Sequence, residues 1–411
     1  VGRKVLVVIN DIFKVFGELY SWYLRNPEYR SRVQKLVQSA FAGKPKDIIS
    51  QSVAKALYGE VSPYSATRLE RFAACAFAHF LQYGMKLTER VEYEFKPMDM
   101  GNVMHEALES FAEEVRKRGM KWTELTEQER NEIADRCLDN IVADYGNTVL
   151  KSSARNEYMI ERTRRILRRT VWALQKQLEQ GEFQPEGFEV TFGGGRIDRV
   201  DIMEDQNKVY VKVIDYKTGN TSFDLVYLYH GLQLQLMIYL DGALRVEQKK
   251  YPDKEIIPAG VFYYNIKDPM IQEKIDADVE AVSAGLMKEL KMNGLVQADP
   301  ELVYRMDSSL GSIPVAFNKD GSFRKNSSVA DRTQFAVLGR YVRTKIEKIR
   351  SSILEGDAEV SPYELGKKNA CTYCPYMTVC GFDRRLSGYE FRRLKNFSDE
   401  ELWKAFDREA E

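Results

Sequence analysis

Apolar positions recur at helical spacing near the start of the chain, where Val15, Phe16, Leu19, Tyr20 and Tyr23 form one stripe. Residues 1–60 therefore read as helices with polar joints. Ser62-Pro63-Tyr64-Ser65 punctuates the chain, and Ser65 is a suitable N-cap for a helix through Leu69, Phe72 and Phe80. Pro97 and Gly101 delimit a helix over about 102–118, and 124–185 continues helical. After Pro185 the period drops to two: Phe188, Val190 and Phe192 alternate as on one strand face. Beyond Gly193-Gly194-Gly195, strands at about 196–203 and 208–216 flank Glu204-Asp205-Gln206-Asn207, a hairpin pattern. Helices follow at about 231–247, 270–297 and 331–355, with a strand at Val261–Tyr264 and an irregular Ser/Gly/Asn-rich stretch at 305–328. This succession predicts an α/β (α+β) fold, a mixed central β-sheet flanked by helices with the hairpin inside the sheet.

The chain has 411 residues, a length for about two or three domains. A hydrophobic share of 44% supports sizeable cores and excludes disorder as the main state. The boundary is set at residue 60, with 61–411 as the second unit. Lys plus Arg equals Asp plus Glu, 61 against 61, so no global basic field announces a nucleic acid. A local one does. From Lys151 to Lys176 eight basic residues face only Glu157 and Glu161. Within that run Arg162, Arg165 and Arg169 are the candidate DNA contacts, against the alternative of a solvated helix face. Five cysteines do not make a secreted disulfide scaffold, and no apolar run reaches about 18 residues. A cytoplasmic protein without a membrane partner is expected. The start at Val1 suggests a piece of a longer chain.

The densest chemistry lies in Arg196-Ile197-Asp198-Arg199-Val200-Asp201 and Val213-Ile214-Asp215-Tyr216-Lys217. Asp215 and Lys217 are two apart on a strand and share a face. A turn centred between Asp205 and Gln206 sets Asp198 opposite Val213 and makes Asp215 its diagonal neighbour, about 7–8 Å away. Two carboxylates and an ammonium suit a hard divalent cation and an oxyanion. Such a cation activates water and neutralises a phosphodiester, and Lys217 orients the water or stabilises the developing charge. A Lys–Asp pair on a surface hairpin is the plainer alternative. His105 and Glu109 share a helix face at i and i+4, as do Gln235 and Tyr239.

Cys371-x2-Cys374-x5-Cys380 clusters near the C-terminus, and Cys75 is the best candidate for a fourth thiolate. Cys137 has no partner at a useful spacing. Four thiolates suit either zinc or a cubane iron–sulfur cluster.

Taken in order, Cys75, the G-x3-H-x2-L-E helix (Gly101, His105, Leu108, Glu109), G-R-I-D-R-V-D, Asp215-Tyr216-Lys217, Gln235-x3-Tyr239 and the terminal cysteines resemble the RecB-type nucleases. These are a branch of the PD-(D/E)xK superfamily. The resemblance covers roughly residues 60–411, and six ordered motifs are far more specific than any one. It implies a restriction-endonuclease-like PD-(D/E)xK core. It implies His105, Asp198, Asp215 and the Tyr216 carbonyl as metal ligands, Lys217 as the catalytic lysine, and Gln235 and Tyr239 as supports. It implies that Cys75, Cys371, Cys374 and Cys380 hold a [4Fe–4S] staple joining the start and end of the domain. The implied reaction is Mg²⁺- or Mn²⁺-dependent exonucleolytic hydrolysis of DNA, on the 5′-terminated strand, in double-strand-break processing and recombinational repair. An AddA-type helicase–nuclease subunit is the implied partner, and residues 1–60 become the remnant of a preceding helicase-like region. Ala76 stands where the family usually has Pro, and Thr218 where Ser is common. No G-x4-G-K-[ST] occurs, so no ATPase is expected of this chain. A Cas4-like self-standing exonuclease and a non-catalytic DNA-binding scaffold are the alternatives.

Overall fold

The computed structural model describes residues 2–40, 48–59, 65–88, 97–144, 153–193, 195–271 and 278–410. Helices α1 (Gly2–Arg25) and α2 (Pro27–Ala40) lead the chain and pack on each other. The predicted apolar stripe of α1 stays exposed at Val15, Phe16, Leu19, Tyr20 and Tyr23. Next come α3 (Gln51–Tyr58), α4 (Ala66–Ala74) and α5 (Ala76–His79). Ser65 caps α4 by accepting the Arg68 N–H at 3.4 Å. Ser62, Pro63, Tyr64, Lys151 and Gly194 lie outside the described residues.

Three long helices follow, α6 (Pro97–Lys117), α7 (Glu127–Asp144) and α8 (Ala154–Glu179), then strands β1 (Gln184–Phe192), β2 (Gly195–Asp205) and β3 (Lys208–Lys217). Pro97 opens α6, where its missing N–H costs nothing. α9 (Leu225–Tyr229) and α10 (Gln235–Lys250) lead to β4 (Glu255–Asn265). After it come α11 (Val279–Glu289), β5 (Asn293–Gln297), α12 (Pro300–Met306), β6 (Val329–Ala330) and α13 (Arg332–Glu355). The tail holds β7 (Tyr363–Leu365), β8 (Lys368–Asn369), α14 (Met377–Cys380), β9 (Arg392–Arg393) and α15 (Asp399–Ala410).

The region read as one helix over 270–297 instead holds α11 and the strand β5. Gly294 accounts for the difference. A Cβ there would sit 1.9 Å from the Val261 carbonyl oxygen, so glycine alone lets β5 close on β4. The helix expected at 331–355 is present with a capping box. The Asp331 carboxylate accepts the Gln334 N–H, and the Gln334 side chain accepts the Asp331 N–H, both at 2.8 Å. Gly356, with φ of 91°, ends it.

The described strands β1 to β6 form a mixed sheet in chain order. β1–β2, β2–β3 and β4–β5 are antiparallel, whereas β3–β4 and β5–β6 are parallel. Helices cover both faces. α6, α7 and α8 pack on one side through Phe111, Leu138 and Leu167. α4, α10 and α13 pack on the other through Leu69, Leu236 and Leu338. β3 divides its side chains accordingly: Tyr210, Ile214 and Tyr216 enter the first layer, and Val209, Val211 and Val213 the second. Double coverage explains why β3 is so rich in apolar residues. Each such Val or Ile contributes roughly 1.5–3 kcal/mol by leaving water. Ala54 and Tyr58 of α3 are buried in the second layer too.

The hairpin register differs from expectation by two residues. Val200 pairs with Val213, and Arg199 with Ile214, so the turn is the two residues Gln206-Asn207. Gln206 adopts a positive φ of 39°, as tight hairpin turns require. A slip of two preserves which face each side chain takes. It carries Asp198 from opposite Val213 to opposite Asp215, closer than the expected diagonal.

Candidate active site

The sheet lines up three carboxylates. β1 pairs Phe188 with Arg199 and Val190 with Ile197, so Glu189 falls opposite Asp198. Asp215 is next in the row, and it pairs with Tyr263 of β4. Glu189 was not among the residues the sequence singled out. It reaches the site because its backbone is left-handed, with φ of 49°. That residue breaks the strand alternation, which corrects the single face expected for Phe188, Val190 and Phe192. Phe188 packs toward α6–α8 against Trp122, whereas Val190 and Phe192 pack into the opposite layer. A non-glycine residue held in this region stores backbone strain of roughly 1–3 kcal/mol, a common feature of functional sites.

α6 brings His105 to the row. Its Nδ1 lies 3.4 Å from Asp198 Oδ2 and 3.8 Å from Glu189 Oε1, and its Nε2 meets the Tyr216 carbonyl at 3.1 Å. Asp198 Oδ2 also accepts the Tyr216 N–H at 2.7 Å. The ligand atoms of His105, Glu189 and Asp198 all lie within 4.8 Å of one another. Lys217 Nζ sits 2.6 Å from Asp215 Oδ2 and donates to Gln235 Oε1 at 2.8 Å. Gln235 Nε2 donates to the Tyr239 hydroxyl at 2.8 Å. The spacing-based pairs are thus realised: Gln235 and Tyr239 bond each other, and His105 and Glu109 line the same cleft.

That cleft has a volume of about 600 Å³. Five carboxylates line it, Glu106, Glu109, Glu189, Asp198 and Asp215, against two cations, Arg196 and Lys217. Arg196 forms an ion pair with Glu189. The excess of acid leaves its mark on titration. Burial and the neighbouring Asp198 push Asp215 well above the usual carboxylate range, against the pull of Lys217 and His105. Burial works against a charged His105, but its hydrogen bonds to Asp198 and Glu189 prevail and hold it up to about 10. The carboxylates around His105 thus favour its protonated form. Oxygen donors around one imidazole, with more acid than base, are a donor set for a hard divalent cation.

The chain matches the PD-(D/E)XK nuclease superfamily over residues 63–381.

This chain belongs to the PD-(D/E)XK nuclease superfamily.

Asp215-Tyr216-Lys217 matches the D-x-K for which these nucleases are named. The chain is 41% identical over 422 residues to the B subunit of the ATP-dependent helicase/deoxyribonuclease of Lachnoclostridium phytofermentans, covering 97% of this chain and 36% of that protein. Its counterpart in a Thermoanaerobacter species is 34% identical over 425 residues, covering 98% and 37%. That of Clostridium acetobutylicum is 33% identical over 431 residues, covering 99% and 37%. The chain therefore spans a little over a third of the length of these curated relatives.

Four of the five cysteines come together from the two ends of the matched region. Cys75 ends α4, and Cys371, Cys374 and Cys380 come from the tail, yet all four line one small apolar cavity. All four are free thiols. Burial, with the other three thiols adding to it, pushes Cys371 up to about 11. Cations stand beside them: Arg71 donates to Cys374 Sγ at 3.7 Å, and Arg392 bonds the Ala73 carbonyl next to Cys75. Cys137 lies apart, buried in α7.

The basic run of α8 divides. Arg164 pairs with Asp139 at 2.7 Å and Arg168 Nε with Asp135 at 2.8 Å, which ties α8 to α7. Of the candidate DNA contacts, Arg162 is exposed, Arg165 pairs with Asp268 at 2.5 Å, and Arg169 lies over the Trp172 ring. None of the three lines the cleft. No described helix is long and apolar enough to cross a membrane.

Proposed function

We propose that this chain is the nuclease region of a helicase–nuclease subunit of the AddAB type and hydrolyses DNA phosphodiester bonds with Mg²⁺ or Mn²⁺. The observation that carries the reading is the row Glu189–Asp198–Asp215 beside Lys217 in an acid-rich cleft. His105, Asp198 and Asp215 would hold the cation, with Glu189 beside His105 Nδ1 and Asp198 and the Tyr216 carbonyl at His105 Nε2 as further donors. The bound cation supplies charge for the scissile phosphate and acidifies a water ligand. Lys217 Nζ lies beside Asp215 Oδ2, where it orients the attacking water or a non-bridging oxygen. Gln235 holds Lys217 in that pose, and Tyr239 holds Gln235. As a ligand His105 would have to be neutral, its proton passing to solvent. Arg162, Arg165 and Arg169 of α8 would add contacts to the DNA backbone outside the cleft. Its substrate is the 5′-terminated strand at a processed double-strand break, and an AddA-type helicase–nuclease subunit is its partner.

Cleavage of end-labelled single-stranded DNA tests this. The wild-type protein degrades it with MgCl₂ and not with EDTA, and Asp215→Ala does not degrade it. Comparing 5′ and 3′ labels reads the polarity. Equal degradation by Asp215→Ala and wild type refutes the assignment.

Cys75, Cys371, Cys374 and Cys380 hold a [4Fe–4S] cluster in the same reading. Four thiols at one cavity, flanked by Arg71, support an anionic cluster there. About four irons and four sulfides per chain in anaerobically purified protein are expected. A colourless protein with one tightly held zinc overturns that assignment.

A further inference from the structure

α10 carries Gln235, yet it starts without a capping side chain of its own, because Leu234 occupies the N-cap. Glu70 supplies the cap from another helix. Its Oε1 accepts the Leu234 N–H at 2.7 Å and the Gln235 N–H at 3.0 Å. The chain of contacts then continues without a gap. Gln235 Oε1 accepts from Lys217 Nζ at 2.8 Å, and Lys217 Nζ lies 2.6 Å from Asp215 Oδ2.

Glu70 stands on α4, which turns two neighbouring residues to two different tasks. Glu70 faces α10, while Arg71 reaches Cys374 Sγ and lies over the Tyr376 ring. Cys75 closes the same helix. A cap drawn from a remote helix fixes where the first turn of α10 lies as well as satisfying its amides. Gln235 sits on that turn, and its carboxamide fixes the lysine ammonium.

We propose that Glu70 is a positioning residue for Lys217, acting through the first turn of α10 and the Gln235 side chain. The proposal rests on the nuclease reading of the cleft and names a further part of that site. Among the described residues Glu70 makes no hydrogen bond to the carboxylate row or to His105; its hydrogen-bonded route to Lys217 runs through Gln235, beside a smaller direct electrostatic pull on Lys217.

The test uses the whole chain, single-stranded DNA and Mg²⁺, with E70A, E70Q, Q235A and the E70A/Q235A double variant. Loss of the cap lets the lysine wander by a fraction of an ångström, and E70A lowers kcat about tenfold or more with KM within about threefold. E70Q keeps kcat within about threefold, because its amide oxygen accepts the same two N–H groups. In the Q235A background, E70A adds no further loss. Multiplying losses in the double variant, or E70Q as impaired as E70A, overturns the proposal. Amide exchange gives a readout independent of turnover: Leu234 and Gln235 exchange faster in E70A and at the wild-type rate in E70Q. Unchanged exchange in E70A overturns the proposal even if the wild-type protein proves to cut no DNA, a result that refutes the nuclease reading instead.

Discussion

Asp198 and Asp201 stand three residues apart on β2 and meet opposite fates. Asp201 is fully buried between Arg199, at 2.5 and 2.9 Å, and Lys212, at 3.1 Å. Arg199 lies over the Trp122 and Phe188 rings, and Lys212 over Phe183. Burial alone would raise the Asp201 carboxyl, but Arg199 and Lys212 hold it below the usual range. Asp198 opens instead onto the cleft, beside Glu189 and Asp215, where acid outnumbers base. The sealed cluster is compensated from within the chain and asks for nothing from outside. The open one remains acid-rich. Charged residues of one hairpin therefore separate into a structural ion cluster of Arg199, Asp201 and Lys212 and an acid-rich candidate metal site. Compensation, more than burial, is the difference.

The largest expected effect would sharpen that contrast. Asp215→Ala should lower DNA cleavage by about a thousandfold or more while leaving the melting temperature within a few degrees. Asp201→Ala should do the reverse. Removing it strands two buried cations and costs about 3–5 kcal/mol of stability, read by urea unfolding. A strongly destabilised Asp215→Ala with an unaffected Asp201→Ala would invert the comparison. Next in size is Glu189→Ala, expected to weaken Mn²⁺ binding about 10–100-fold in a calorimetric titration.

Smaller still is a pH effect at Glu70. Burial pushes this carboxyl from 4.5 up to about 7, despite the Gln235 and Leu234 amides and the nearby Lys217. Between those values the folded chain holds more protons at Glu70 than the unfolded chain, so its contribution to stability falls as pH rises across that window. Glu70→Gln does not titrate. The stability of Glu70→Gln relative to wild type should therefore climb by roughly 2–3 kcal/mol between about pH 4.5 and 7 and level off above. A difference independent of pH would place the Glu70 carboxyl in its ordinary range. The smallest effect belongs to the basic run: Arg162→Ala or Arg165→Ala should reduce the salt slope of DNA binding by about one each.

Much of this site was legible in the sequence because its signals are local. Alternation and turn residues found the β2–β3 hairpin, and period-two logic set Asp215 and Lys217 on one face. Helical spacing found His105 with Glu109 and Gln235 with Tyr239. The hairpin register was two residues off because the turn is Gln206-Asn207, and nothing in Asp205-Gln206-Asn207 favours one centre strongly over another. Glu189 was invisible for a different reason. Its place depends on a left-handed backbone at a glutamate, which no residue preference announces. Glu70 was equally hidden, since a cap given by one helix to another leaves no spacing in the chain. β5 was missed because five residues beside a longer helical pattern carry little periodicity, and only the packing of Gly294 on Val261 decides them.

Manganese binding, followed by electron paramagnetic resonance, tests the central claim most directly. The wild-type protein should bind Mn²⁺ in its folded state, with release of protons as His105 and Asp215 lose theirs to reach their ligand forms. That binding should be lost in Asp198→Ala and Asp215→Ala. Mn²⁺ binding of undiminished strength in both variants would contradict the assignment of the open carboxylate row as the metal centre.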